Sequence, residues 1–280
     1  MMTSTPHVGR SLERQRHHYE VEMRLADRLR AAPRERRLHM LTGLYEELFR
    51  EVPDHPRLVC KSTPELSRYE VGRQMSLLRR FLRRDMTLLE IGPGDCALSF
   101  AASRHVRQVW AVDVDAVLSR NAEPPANFRL FISDGVSVPV PAASVDLAYS
   151  NQLMEHLHPE DAREQLRNIF AALAPGGAYV CLTPNRLNGP HDISRDFSDE
   201  PRGFHLKEYT MTELRTIFMD MGFRSVAAYA RTKSVWQRVP FQLVASLEAA
   251  LERLPARRCR AVADRWPIRH LVNAALVARR

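Results

Sequence analysis

Residues 88–115 constrain the fold of this chain more than any other stretch. They read LLEIGPGDCALSFAASRHVRQVWAVDVD. An apolar run, Leu88 to Ile91, carries Glu90 near its end, breaks at Gly92-Pro93-Gly94 and gives way to a helical pattern. A second apolar run, Val109 to Val112, ends on Asp113. The order predicts a strand, a tight glycine turn, a helix and a second strand ending in a carboxylate, the unit that builds a parallel sheet with helices on its faces. Without a Cβ, Gly92 and Gly94 let the backbone turn sharply and come close to a ligand. Asp113 stands about 20 residues beyond the glycines, where a carboxylate can accept from both hydroxyls of a ribose; Asp115 is its rival for that role. The arrangement suits an adenosine-containing ligand at the sheet edge. Two alternatives fit poorly: no GxxxxGK[ST] cradle for a triphosphate is present, and Ala97 stands at the last glycine of the dinucleotide pattern GxGxxG.

Further segments follow in order. Phe128 to Ile132 reads as a strand followed by Ser133-Asp134-Gly135. Ser144 to Asn151 reads as another strand, continued by Gln152-Leu153-Met154-Glu155-His156-Leu157. Leu173-Ala174-Pro175-Gly176-Gly177-Ala178-Tyr179-Val180 reads as a helix end, a turn and a fifth strand. Together with the glycine loop, this ordered set resembles the class I S-adenosylmethionine-dependent methyltransferases over roughly residues 86–230. The resemblance implies S-adenosylmethionine as cofactor, held by Glu90, Gly92, Gly94, Asp113, Asp134 and Asn151, with Asp134 accepting from the adenine amino group. The chain departs from the pattern at Cys96, where the family has a third glycine.

The expected fold is therefore α/β: a doubly wound, Rossmann-like, mostly parallel sheet with a helical N-terminal extension and a helical C-terminal tail. Residues 1–84 form the extension. The cofactor-binding domain spans 85–230, with an acceptor-site loop at 184–209, and the tail runs from 231 to 280. In the extension, Leu38, Leu41, Tyr45 and Leu48 recur at helical spacing, and the extension is expected to lie over the cofactor site. Thr210-Met211-Thr212-Glu213 is a capping box that starts a helix ending at Gly222.

Charge is unevenly placed. The net +8 of the chain divides into 18 basic against 11 acidic residues over 1–84, 12 against 19 over 85–230, and 11 against 3 over 231–280. Basic flanks can attract nucleic acid, anionic lipid or an anionic substrate. No nucleic-acid module is visible, so nucleic acid is disfavoured as a partner. Peripheral membrane contact through the tail stays open beside the reading that its apolar stripe packs on the domain. No apolar run approaches the ~20 residues of a membrane span, and the N-terminus has no apolar core of the signal-peptide kind. A cytoplasmic protein is expected. Cys60, Cys96, Cys181 and Cys259 are scattered without a CxxC pair, as buried free thiols would be.

The segment 184–209, PNRLNGPHDISRDFSDEPRGFHLKEY, is dense in groups that can do chemistry. Methyl transfer to a hydroxyl needs an acceptor lone pair held in line with the S–CH₃ bond, and a base for its proton. Histidine suits the second task. The candidates are His156, His191 and His205, each of which could instead serve only its own loop. No metal is expected, since His191, Asp192 and His205 match no ligand spacing. The leading expectation is an enzyme that O-methylates a small molecule or sugar. The alternatives are an RNA or protein methyltransferase using the basic flanks, and a non-catalytic methyltransferase-like partner subunit.

Overall fold

The computed structural model describes residues 10–59, 64–114, 123–232 and 235–280; Cys60 and Asp115 fall outside them. Eight strands form one sheet: β1 Thr87–Ile91, β2 Gln108–Asp113, β3 Phe128–Ile132, β4 Val145–Asn151, β5 Leu173–Leu182, β6 Ser225–Thr232, β7 Val235–Val239 and β8 Ala275–Arg279. Their order is β3-β2-β1-β4-β5-β8-β6-β7. From β3 to β5 every pairing is parallel. Parallel strands need both faces covered, which is why they read as unbroken apolar runs; all five residues of β1 are buried. The order reverses between β1 and β4, and that switch point opens a crevice at the carboxyl ends of the strands.

Helices cover both faces. On one side α6 (Pro159–Ala172) and α7 (Met211–Asp220) set Leu166, Ile169, Leu214 and Phe218 against Tyr179 and Phe223. On the other, α4 (Pro64–Leu78) and α5 (Ala97–Ser103) pack Leu77, Leu78 and Leu98 against Val109, Tyr149 and Trp236. Helix α7 begins as expected. The Thr210 side chain accepts from the Glu213 N–H, the Glu213 carboxylate accepts from the Thr210 N–H, and Gly222 beyond its end has φ +103°.

Before the sheet, α1 (Leu12–Ala31) and α2 (Arg34–Glu51) meet at Ala32-Pro33, and the short α3 (Pro56–Val59) follows. Val21, Leu25, Leu29, Leu44 and Leu48 build a core of their own that takes in Phe204 of the acceptor loop. Three arginines latch this cap to the domain. Arg37 pairs with Asp161 at 2.8 Å and Glu160 at 2.9 Å, and Arg34 pairs with Glu164 at 2.7 Å. Arg30 donates to the carbonyls of Arg202, Gly203 and His205.

One expectation is corrected. The segment 231–280 is not a purely helical tail. It holds α8 (Phe241–Leu251), α9 (Ala256–Ala263) and α10 (Ile268–Val272), but also β7 and β8. Strand β8 enters the middle of the sheet, antiparallel to both β5 and β6. Its short Ala-Leu-Val-Ala run is buried throughout, and a run of that length carries no period to separate a buried strand from a helix. The loop 184–209 has order of its own. Two 3-10 turns, Arg186–Asn188 and Ile193–Asp196, order it. The side chains of Asn185 and Asp192 cap them by accepting from the N–H groups of Leu187 and Ser194, the local bonding that such residues offer a loop.

Among the described residues no helix is long and apolar enough to cross a membrane. Cys96, Cys181 and Cys259 are buried and free. Burial pushes the thiols of Cys96 and Cys181 up to about 12, which keeps them un-ionised and inert.

Candidate functional site

The glycine turn follows directly from β1. Gly92 and Gly94 have φ +69° and +56°, the left-handed region that costs glycine nothing. A Cβ on Gly94 would stand in open space. Cys96 also has positive φ, 59°, so the chain keeps a glycine-like conformation where the family pattern has glycine. Asp113, at the end of β2, accepts from the N–H of Gly94 at 3.2 Å and of Val114 at 2.7 Å. Strand end and glycine loop are thereby fixed to each other.

Beside this loop lies a cavity of about 270 Å³, roofed by α4 and bounded by the glycine turn and Asn151. The sequence expectation that the extension covers this site is met by α4, not by α1 or α2. Its carboxylates are Glu70, Glu90 and Asp95, and among the described residues no lysine or arginine lines it. Glu70 is paired with Arg73. Glu90 accepts from the Ser99 hydroxyl at 2.5 Å. Burial pushes its carboxyl up to about 7 against that bond, with the Asp95 and Asp113 charges adding to the rise. Asn151 Oδ1 is buried without a partner.

S-adenosylmethionine carries a sulfonium and an ammonium, and this donor set fits it. The carboxylates favour cations, the orphaned Asn151 oxygen awaits an N–H, and the glycine turn leaves room for close approach. A phosphate-bearing dinucleotide would find no cationic side chain in this lining to balance its charge.

Asp134 sits apart from that cavity. Its carboxylate accepts from the N–H groups of Val136 at 2.9 Å and Ser137 at 2.6 Å and from the Ser137 hydroxyl at 2.9 Å. Burial raises its pKa, but these bonds outweigh it and hold the carboxyl below its ordinary value. Asp134 therefore closes its own turn, and it lines a narrow cleft with His156, Arg37 and Leu38.

Two of the three candidate histidines come together. The rings of His156 and His205 meet edge to face with centroids 4.8 Å apart. His156 Nδ1 lies 3.1 Å from the Phe204 carbonyl, and His205 Nδ1 lies 2.6 Å from Glu208 Oε1. Burial works against charge on His205, but the hydrogen bond and charge of Glu208, with the charges of Glu155 and Asp192, keep its pKa above the ordinary value. The His191 backbone N–H donates to the same Glu208 oxygen at 2.7 Å, but its ring is engaged elsewhere. Its Nε2 lies 3.1 Å from both the Asn185 carbonyl and Asn188 Oδ1, and burial lowers its pKa. It holds the loop. Asp192, its neighbour in sequence, instead accepts from the N–H groups of Ser194 and Gly203.

Sequence reasoning counted Glu208 only among the groups of its loop that can do chemistry, and it passed over Glu155. Glu155 is fully buried, accepts from Thr183 Oγ1 at 2.8 Å, and is pushed up to about 7 by burial, partly opposed by His205. The only signal in the sequence was its place beside His156; its burial follows from the 3-10 turn Met154–His156 after β4.

A family model described as a methyltransferase domain matches residues 66–228. Curated relatives include an uncharacterized methyltransferase of Mycobacterium bovis, 32% identical over 108 residues, which are 36% of this chain and 54% of the relative. A probable S-adenosylmethionine-dependent methyltransferase of Mycolicibacterium smegmatis is 32% identical over 160 residues, 56% of this chain and 58% of that protein. The chain thus spans about half the length of the curated relatives it matches. Among solved structures, a SAM-dependent methyltransferase from Archaeoglobus fulgidus aligns with TM-score 0.51 at 18% identity, covering 86% of this chain and 100% of that one. A Haemonchus contortus phosphoethanolamine N-methyltransferase aligns with TM-score 0.54 at 16% identity, covering 89% and 50%. At such identities the structures speak to fold alone.

Proposed function

We infer the reaction from two things: this chain belongs to the class I S-adenosylmethionine-dependent methyltransferases, and its acceptor side carries a paired imidazole. S-adenosylmethionine is the cofactor, and when bound it supplies an activated methyl group. The proposed reaction is transfer of that methyl to a hydroxyl of a small molecule or sugar, in line with the breaking S–CH₃ bond. The observation that carries this reading is the His156–His205 pair, with Glu208 on His205 Nδ1. A carboxylate on Nδ1 fixes the tautomer and leaves Nε2 as the nitrogen that accepts a proton. His156 also lines the narrow cleft that Asp134 borders. Glu90, Gly92, Gly94, Asp113 and Asn151 are proposed to hold the cofactor. Asp134 could reach adenine only through the remaining lone pairs of a carboxylate already engaged in its turn.

The test is release of S-adenosylhomocysteine in the presence of polyols, sugars and phenols, with amines, RNA and protein as further arms. Hydroxyl-dependent turnover is expected to fall at least about 100-fold in His205→Ala, the scale of general-base assistance, while His191→Ala acts mainly on stability. Transfer confined to amines, RNA or protein would contradict the hydroxyl assignment.

A further inference from the structure

We propose that Glu155, His156 and His205 form a binding site for a divalent transition metal ion of the zinc class. One ligand-capable atom from each of the three lies within 4.8 Å of the others. Ligands about 2.0–2.2 Å from a common ion in a tetrahedral site stand roughly 3.3–3.6 Å apart, so side-chain rotations that close the set by about 1 Å bring it onto one ion. Two chain segments supply it. Glu155 and His156 sit on the turn after β4, and His205 sits at the end of the acceptor loop. The two segments are joined where the Lys207 N–H donates to the Glu155 carbonyl at 3.2 Å.

Each of the three is oriented from behind, as metal ligands are. His156 Nδ1 meets the Phe204 carbonyl, and His205 Nδ1 meets the Glu208 carboxylate. An ion would take Nε2 of each ring. Glu155 Oε2 accepts from Thr183. Its other oxygen, Oε1, is buried without a partner, and so is Oε2 of Glu208. An unpartnered carboxylate oxygen on a fully buried residue is costly, and a cation beside it removes that cost.

A second cluster shows the contrast. His18, Glu22 and His55 are equally close, but there Glu22 already accepts from His18 and from the Phe204 N–H. Arg10, 2.9 Å from His18 Nδ1, supplies the positive charge. That cluster ties α1 to the acceptor loop and has no oxygen left over.

Two imidazoles and one carboxylate suit zinc, iron or cobalt more than magnesium or calcium, which take oxygen ligands. The inference deepens the proposed function and rests on it only for the role of the ion. An ion held here would make an acceptor hydroxyl acidic in place of a free imidazole base.

The experiment is titration of the chelator-dialysed full chain with Co²⁺, read by its visible absorption, followed by displacement with Zn²⁺. One equivalent is expected. Affinity should fall at least about 100-fold in Glu155→Gln and in His205→Asn, and about 10–100-fold in Glu208→Gln, which loses only the orienting partner. Binding of S-adenosylhomocysteine by each variant reports that it is folded. No uptake of Co²⁺ or Zn²⁺ by the unaltered chain, or uptake that the variants retain, overturns the site. Hydroxyl methylation without bound ion overturns the ion and keeps the imidazole base; a bound ion without hydroxyl methylation does the reverse.

Discussion

Cys96 shows how one residue can break a sequence pattern and keep its geometry. Its φ of 59° and ψ of 11° lie in the left-handed region, which costs an L-residue about 1–2 kcal/mol. Cys96→Gly removes that strain but also removes a buried thiol and adds chain entropy. We expect stability within about 1 kcal/mol of the parent and cofactor binding intact. Cys96→Val places a β-branched residue in the same conformation and should lose more than about 2 kcal/mol. Chemical denaturation of both checks this; a Val variant as stable as the parent would contradict the assigned backbone.

Glu90 gives a pH dependence of known sign. Its carboxyl ordinarily titrates at 4.5 and is pushed up to about 7 in the fold. Between these values the folded chain holds a proton that the unfolded chain has released, so stability falls as pH rises. The contribution is fully present below about pH 4.5 and gone once pH has passed about 7. Its size is up to about 3 kcal/mol. Glu155 titrates in the same window, so the readout is a difference. The apo stability curves of the parent and of Glu90→Gln should converge toward low pH and separate between pH 5 and 8, the variant losing less. Parallel curves would show that Glu90 is not held neutral by burial.

At the scale of elements, the cap formed by α1 and α2 depends on charge as much as on its small apolar core. Arg37 and Asp161 are both buried, at 5% and 4% exposure. Removing Arg37 leaves the enclosed Asp161 with only Arg34, 3.6 Å away, as counter-charge, which costs up to about 3–5 kcal/mol. Arg37→Met should therefore destabilise the chain by about that amount and open the connections at Ala32-Pro33 and Val52–His55 to limited proteolysis. The cofactor cavity, bounded by α4, should keep its affinity. Proteolysis unchanged from the parent would remove the latch from the account.

Elements also mark what was legible beforehand. Strands β1 to β4 and the capped α7 announced themselves through apolar runs, glycines and a capping box, all local signals. Strand β8 did not, because its place between β5 and β6 is fixed by pairing partners far away in sequence. The order inside 184–209 was hidden for a related reason: Asn185, Asp192 and Ser194 look like generic loop residues until their backbone partners are known.

For the whole molecule, the sheet brings the glycine turn after β1 and the turn after β4 that carries His156 to one edge. The glycine turn and the strand end that carries Asp113 were readable from sequence because both show in local spacing; the cavity beside them is lined by Glu90, Gly92 and Asn151 but by neither Asp113 nor Asp134. The acceptor side was readable only in composition. Three histidines stood out, but which two would meet depended on how the turn after β4 docks against the end of the acceptor loop, and the buried Glu155 and Glu208 had no local signature. The central claim places S-adenosylmethionine in the cavity beside Gly94. Its most direct test is calorimetric titration of the purified chain with S-adenosylmethionine and S-adenosylhomocysteine, beside NAD and beside the Asp113→Ala variant. We predict micromolar binding of the first two, no binding of NAD, and loss of binding in a variant that remains folded. An intact chain that binds neither sulfur compound, or that binds NAD in their place, would contradict the account.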